Sequence, residues 1–317
     1  MKLIDLHCDT ITELRSEVKP EKLNTELYRN TLCVDIEKLK KADSIAQFFA
    51  MYVSIKTQEN LKSVCDKLID KFYEELLKNK EHIAFASGYD MLQRNMDSGR
   101  LSAFLTIEEG EALEGDLDNL KHFYDRGVRL ITLIWNHPNK LGYPNFRFEY
   151  QNMGLTDFGR EVVSEMNRLG MLIDISHASD GVFYDVARLS RQPFVASHSN
   201  SREIKHHARN LTDDMIKLLA EKGGVTGINF EAWFLGEGDE AKISDMVRHI
   251  RHIHRVGGIE VLAMGTDFDG TTHAIEIKDI SRMDMLYHAL QKEGFTEGEL
   301  EKIFYKNAIR VIKDVLK

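Results

Sequence analysis

Six residues of this chain pair a reactive side chain with the same local setting. His7, Asp9, Glu108, His177, His198 and Asp267 each lie at the end of an apolar, β-prone run. His7 and Asp9 come from "LIDLHCDT" (3–10), and alternate residues of a strand share a face. Glu108 ends "LSAFLTIE" (101–108), His177 ends "GMLIDISH" (170–177) and His198 ends "PFVASH" (193–198), while Asp267 lies within "VLAMGTDFDG" (261–270). A lone histidine at a strand end commonly does no more than bond a backbone carbonyl. Three histidines and three carboxylates brought to one place are different, because apposed carboxylates raise each other's pKa and resist ionisation. One divalent metal ion, or two sharing a bridging carboxylate, removes that conflict, and mixed His/carboxylate sets suit zinc. Cys8 falls on the opposite face from His7 and Asp9, so period two reads it as packing behind the strand.

The elements that would bring these residues together alternate in type. Eight β-prone runs are legible: the five above, "FFAMYVSI" (48–55), "VRLITLIWN" (128–136) and "GVTGINF" (224–230). "HIAFAS" (82–87) is a ninth, shorter candidate. Between runs, Leu61, Val64, Cys65, Leu68, Ile69, Phe72 and Leu76 recur at helical steps. "DFGREVVSEMNRLG" and "TDDMIKLLAEKGG" both close on glycine, as helices feeding strands do. β-then-α alternation over most of 317 residues predicts a (β/α)8 TIM barrel, whose active sites sit where the C-terminal strand ends converge. With four prolines and no Ser/Gly-rich linker, residues 1–317 are expected to form a single catalytic domain.

Other chemistries lack their signatures. A net charge of −9 argues against nucleic acid or an anionic membrane as partner. There is no Gly-x-Gly-x-x-Gly after the first strand, no Walker A sequence and no Gly-x-Ser-x-Gly elbow. Three unevenly spaced cysteines, no signal-peptide pattern and no apolar stretch of spanning length lead to the expectation of a cytoplasmic protein with no membrane partner. His249, His252 and His254 fall beside a stripe of Val247, Ile250 and Ile253, so they are expected on a solvated or rim face.

The motifs in order resemble the membrane (renal-type) dipeptidases, peptidase family M19 of the amidohydrolase-like metal-dependent hydrolases. The resemblance rests on "IDLHCDT", "AFLTIEEGEAL", "LIDISHAS", "PFVASHSNSR", "ARNLTDD" and "GTDFDG", and it runs over nearly the whole chain. It implies a dipeptidase carrying two Zn2+ ions, with His7 and Asp9 on one, His177 and His198 on the other, and Glu108 and a water or hydroxide bridging them. Glu108 rather than Glu109 holds the family's position. Asp267 would be the acid/base carboxylate, and Arg209 would receive the carboxylate of a small dipeptide, including one with a C-terminal D-residue. A homodimer is also implied. Two positions depart from the pattern. Trp135 stands where family members often carry a carbonyl-polarising histidine, with His137 two residues on as a substitute. Glu231 replaces a frequent tyrosine, either to meet a substrate amino group or to point outward. The rival readings are a hydrolase of a cyclic amide, lactone or N-acyl group, and a non-catalytic metal-binding barrel.

Overall fold

The structure is a computed structural model that describes residues 1–14, 26–56 and 60–317. Eight parallel strands follow one another around a closed ring: β1 (Leu3–Cys8), β2 (Ser44–Tyr52), β3 (Leu101–Glu108), β4 (Val128–Thr132), β5 (Leu172–Asp174), β6 (Val195–Ala196), β7 (Val225–Ile228) and β8 (Leu262–Met264). β2 pairs with β3 over seven residues, and β8 returns to β1 through Asp5 and Met264. The fold is the expected (β/α)8 barrel. The ninth candidate run is a three-residue strand, Ile83–Phe85, that pairs with the start of β3 and lies outside the ring.

Two apolar clusters hold the barrel. The larger fills the space between strands and helices. Phe49 of β2 meets Phe72 of the helix Leu61–Lys78 there, with ring centroids 6.0 Å apart. The second joins Ile4, Leu6, Phe48, Phe104, Leu130, Leu172, Val195, Val225 and Ala263, drawn from every strand of the ring, with Val311, Ile312 and Val315 of the helix Asn307–Val315. This layer sets the phase of what lies above it. Two residues further along β3 to β8 come Thr106, Thr132, Asp174, Ser197, Gly227 and Gly265, and a further step along β3, β7 and β8 reaches Glu108, Asn229 and Asp267.

β1 departs from simple alternation. Its register against β2 slips by one residue between Asp5 and Cys8. Leu6 therefore stays with the barrel interior, while Cys8 is fully buried in the outer cluster. His7, between them, turns its ring toward the site.

The helix boundaries follow their caps. Thr156 accepts from Gly159 N at the start of Asp157–Leu169, and Gly170 ends that helix at φ 73°, where a glycine is favoured. One sequence expectation fails. His249 and His252 on the helix Ile243–Gly257 are buried rather than solvated, because neighbouring segments cover that flank of the helix. His249 Nδ1 accepts from Ser201 N at 3.0 Å and Nε2 donates to Leu235 O at 2.9 Å, while His252 meets Asp213 at 2.6 Å. Among the described residues, no helix is long and apolar enough to cross a membrane.

Candidate metal centre

The six strand-end residues converge. His7 Nε2 lies 3.4 Å from Asp9 Oδ2, 3.6 Å from Glu108 Oε2 and 3.7 Å from Asp267 Oδ1. On the other side, Glu108 Oε1 lies 3.1 Å from His177 Nε2 and 3.7 Å from His198 Nε2, and the two imidazole nitrogens are 3.0 Å apart. Glu108 thus faces both halves of the cluster. Glu109 does not join it. At φ 93° its backbone breaks the strand, and its carboxylate turns away to accept from Glu111 N at 2.9 Å and from Trp135 N. The second acid of "GTDFDG", Asp269, also turns away and accepts from Thr10 Oγ1 and Cys33 N, both at 2.6 Å.

The surrounding hydrogen bonds fix the histidine tautomers. Ser197 Oγ donates to Asp174 Oδ2 at 2.6 Å, so it accepts from His198 Nδ1 at 2.7 Å. Asn136 Oδ1 accepts from His177 Nδ1 at 3.0 Å. Both Nε2 atoms are therefore left as acceptors facing each other and a carboxylate oxygen, with Arg209 Nη2 as a donor 3.2 Å from His177 Nε2. Among the described residues, neither nitrogen of buried His7 has a hydrogen-bond partner. Acceptors that close repel one another, and this donor set of imidazole and carboxylate suits divalent ions. Three overlapping groups satisfy the spacing for a cation: His7–Asp9–Glu108, Glu108–His177–His198 and His7–His198–Asp267. The residues present fit a metal centre.

Behind this layer sits a row of satisfied polar groups that the sequence reading passed over. Asp174 accepts from the hydroxyls of Thr132, Ser176 and Ser197 and from the amides of Ser176 and Ser197. Asp5 accepts from Gln47 Nε2 and from both Thr266 N and its hydroxyl. The available signal was an acid inside an apolar run, "LIDL" and "LIDI", where a buried carboxylate must find donors.

Charge follows burial. Desolvation pushes Glu108 up to about 7, with Asp9 adding to the rise and His7 opposing it. Burial likewise raises Asp267 to about 7, opposed by His7 and reinforced by Asp9 and Glu108. Burial holds His177 and His198 well below the usual imidazole range, helped by Arg209 and His7. For His7, burial works in the same direction, but Glu108 and Asp9 outweigh it and hold the ring well above that range.

A cavity of about 450 Å³ opens onto the cluster, the scale of a small-molecule site. Tyr52, Trp135, Phe146, Trp233 and Phe234 supply aromatic walls, and Asp9, Glu108, His177, Arg209, Glu231 and Asp267 reach it. Arg209 is 1% exposed. Its guanidinium donates to Ser176 O, to Ser199 Oγ and His198 O at 3.3 Å and to His177 Nε2 at 3.2 Å, and among the described residues its Nε has no partner. Glu231 lines the wall with both oxygens engaged: Oε2 accepts from Thr272 N at 2.9 Å, and Oε1 meets His273 Nδ1. His137, unlike the other candidates, neither joins the cluster nor lines this cavity. It lines an adjoining depression of about 240 Å³ that shares Asn136 and Phe146 with it.

The whole chain, residues 1–317, matches the family model of membrane dipeptidase, peptidase family M19. It is 32% identical over 262 residues to an uncharacterized protein in the pqqA 5′ region of Klebsiella pneumoniae, covering 78% of this chain and 97% of that one. It is 31% identical over 326 residues to dipeptidase 3 of Rattus norvegicus, covering 99% of this chain and 65% of that longer protein. Among solved structures it superposes on the dipeptidase AC, a family M19 metallopeptidase, with a TM-score of 0.92 at 28% identity over 100% of this chain and 99% of that one. A metallopeptidase of Rhodobacter sphaeroides, liganded with a phosphinate mimic of the dipeptide L-Ala-D-Ala, gives 0.90 at 27% identity over 99% of both chains. With a full-length family match laid over a barrel mouth whose residues fit a metal beside a small cavity, the chain belongs to peptidase family M19 and is a metallo-dipeptidase.

Proposed function

We propose that this dipeptidase hydrolyses short dipeptides, including those with a C-terminal D-residue, using two zinc ions. His7 and Asp9 would hold one ion, His177 and His198 the other, with Glu108 between them. The observation that carries this reading is the convergence of the His177 and His198 lone pairs on Glu108 Oε1, with His7 Nε2 near Glu108 Oε2. Bound divalent ions supply Lewis acidity and a water of lowered pKa.

The chain's own groups do the rest. With the His177 Nε2 lone pair committed to a cation, Arg209 Nη2 and the unpartnered Nε are left as donors for the substrate carboxylate. Asp267 Oδ1, 3.7 Å from His7 Nε2, takes a proton from the attacking water and passes it to the leaving amine nitrogen. The acidic wall that includes Glu231 favours the substrate's ammonium end, and the aromatic rim limits the cavity to a small ligand. The Rhodobacter relative bound to a mimic of L-Ala-D-Ala supports tolerance of a D-residue.

The test pairs metal depletion with one substitution. Chelation should abolish dipeptide turnover and zinc should restore it, and a depleted enzyme at full rate would sink the metal reading. Arg209→Ala should raise KM for L,L- and L,D-dipeptides by at least tenfold. An unchanged KM would favour a substrate without a carboxylate, such as a cyclic amide or lactone.

A further inference from the structure

Asn229 stands at the end of β7 and is wholly buried. Its side-chain amide has one allowed orientation. Oδ1 accepts from Glu231 N at 2.6 Å, while Nδ2 donates to Asp267 Oδ2 at 2.9 Å and to His198 O at 3.2 Å. Exchanging oxygen and nitrogen would set donor against donor at Glu231 and acceptor against acceptor at both other contacts. The backbone around it is pinned as well: Asn229 N donates to Asn200 Oδ1 at 3.0 Å, and Asn200 Nδ2 donates to Asn229 O at 2.9 Å.

Asp267 depends on this amide. It sits at φ 60°, outside regular strand geometry, and among the described residues no other hydrogen bond reaches its carboxylate. We propose that Asn229 is a positioning residue for Asp267: by donating to Oδ2 it keeps Oδ1, the oxygen 3.7 Å from His7 Nε2, as the free acceptor facing the reacting region. The proton taken from water then resides on Oδ1 and leaves from Oδ1, with no rotation of the carboxyl between transfers. The same amide ties this carboxylate to the backbone of His198, so the acid/base group and the β6 end move together. The proposal rests on the acid/base reading of Asp267.

Three variants separate the two claims. Asn229→Ala removes the amide, and Asn229→Asp keeps its shape and the acceptor for Glu231 N but replaces the donor at Asp267 with an acceptor. Each should lower kcat at least tenfold while KM for a dipeptide stays within about twofold and bound zinc and melting temperature are retained. An unchanged kcat, a loss carried by KM or by zinc content, or failure of both variants to fold would overturn the positioning role. Asp267→Ala tests the underlying reading separately. If it retains full turnover, acid/base catalysis by Asp267 fails and the proposal with it; if it is inactive while both Asn229 variants keep kcat, only the proposal fails.

Discussion

Gly270 presents a hydrogen to the metal centre where any other residue would place carbon. A Cβ there would lie 2.2 Å from Asp9 Oδ2 and 2.8 Å from Asp267 Oδ1. Neither carboxylate can yield without leaving the cluster, so Gly270→Ala should fold normally yet lose about two orders of magnitude in kcat, as misplacements of about 1 Å do. Steady-state kinetics alongside a melting curve check this. The residues that the sequence made legible share one property: each is a chemistry-bearing type at or just past the end of an apolar run, or inside a motif that carries the family resemblance. Asn136 and Asn229 were not legible, because they act through partners distant in sequence and carry no special type or spacing. His137, offered only as the residue two places beyond Trp135, lies in a depression beside the cavity. Beyond β4 the chain turns out of the sheet, and period two no longer says where a side chain points.

The helix Ile243–Gly257 shows the same limit one level up. Its apolar stripe was legible, but the cover over its flank was not, so His249 looked solvent-facing. In the structure its neutral ring bridges Ser201 N and Leu235 O, linking this helix to the segment that leads to Arg209. Burial, with lesser effects of Arg248 and His252, lowers His249 to about 4, against 6.5 ordinarily. The unfolded chain therefore binds the extra proton first as pH falls. This term is complete above about 6.5 and is lost progressively down to about 4, a change of roughly 3 kcal/mol. His249→Gln should be less stable at neutral pH and show a flatter decline through that window, measured by denaturant unfolding at stepped pH. Strand ends were also overread: "GMLIDISH" is apolar enough to suggest eight residues, yet β5 is only Leu172–Asp174. Asp174 gathers its hydroxyl and amide donors there, and the chain leaves the sheet to place His177.

At the scale of the molecule, the barrel concentrates Asp9, Glu108 and Asp267 on one mouth, where folding forces them together. A cation bound only by the folded chain should therefore stabilise it. At a thousandfold excess over Kd the gain is about 4 kcal/mol, so chelation should lower the melting temperature and zinc should restore it. Scanning calorimetry with and without chelator reads this directly, and an unchanged transition would count against a metal centre here. Fold class was legible because β/α alternation is written along the entire chain, whereas the ring's closure depends on a pairing that no local window contains. That closure joins the first strand to the last: Thr266 donates to Asp5 across 261 residues, and Asp267 N to His7 O. On a ribosome, His7 and Asp9 emerge on the order of tens of seconds before Asp267 can meet them. The chain must carry an unclosed sheet edge through most of its synthesis, and metal capture by the complete site belongs to the finished polypeptide rather than to any nascent fragment.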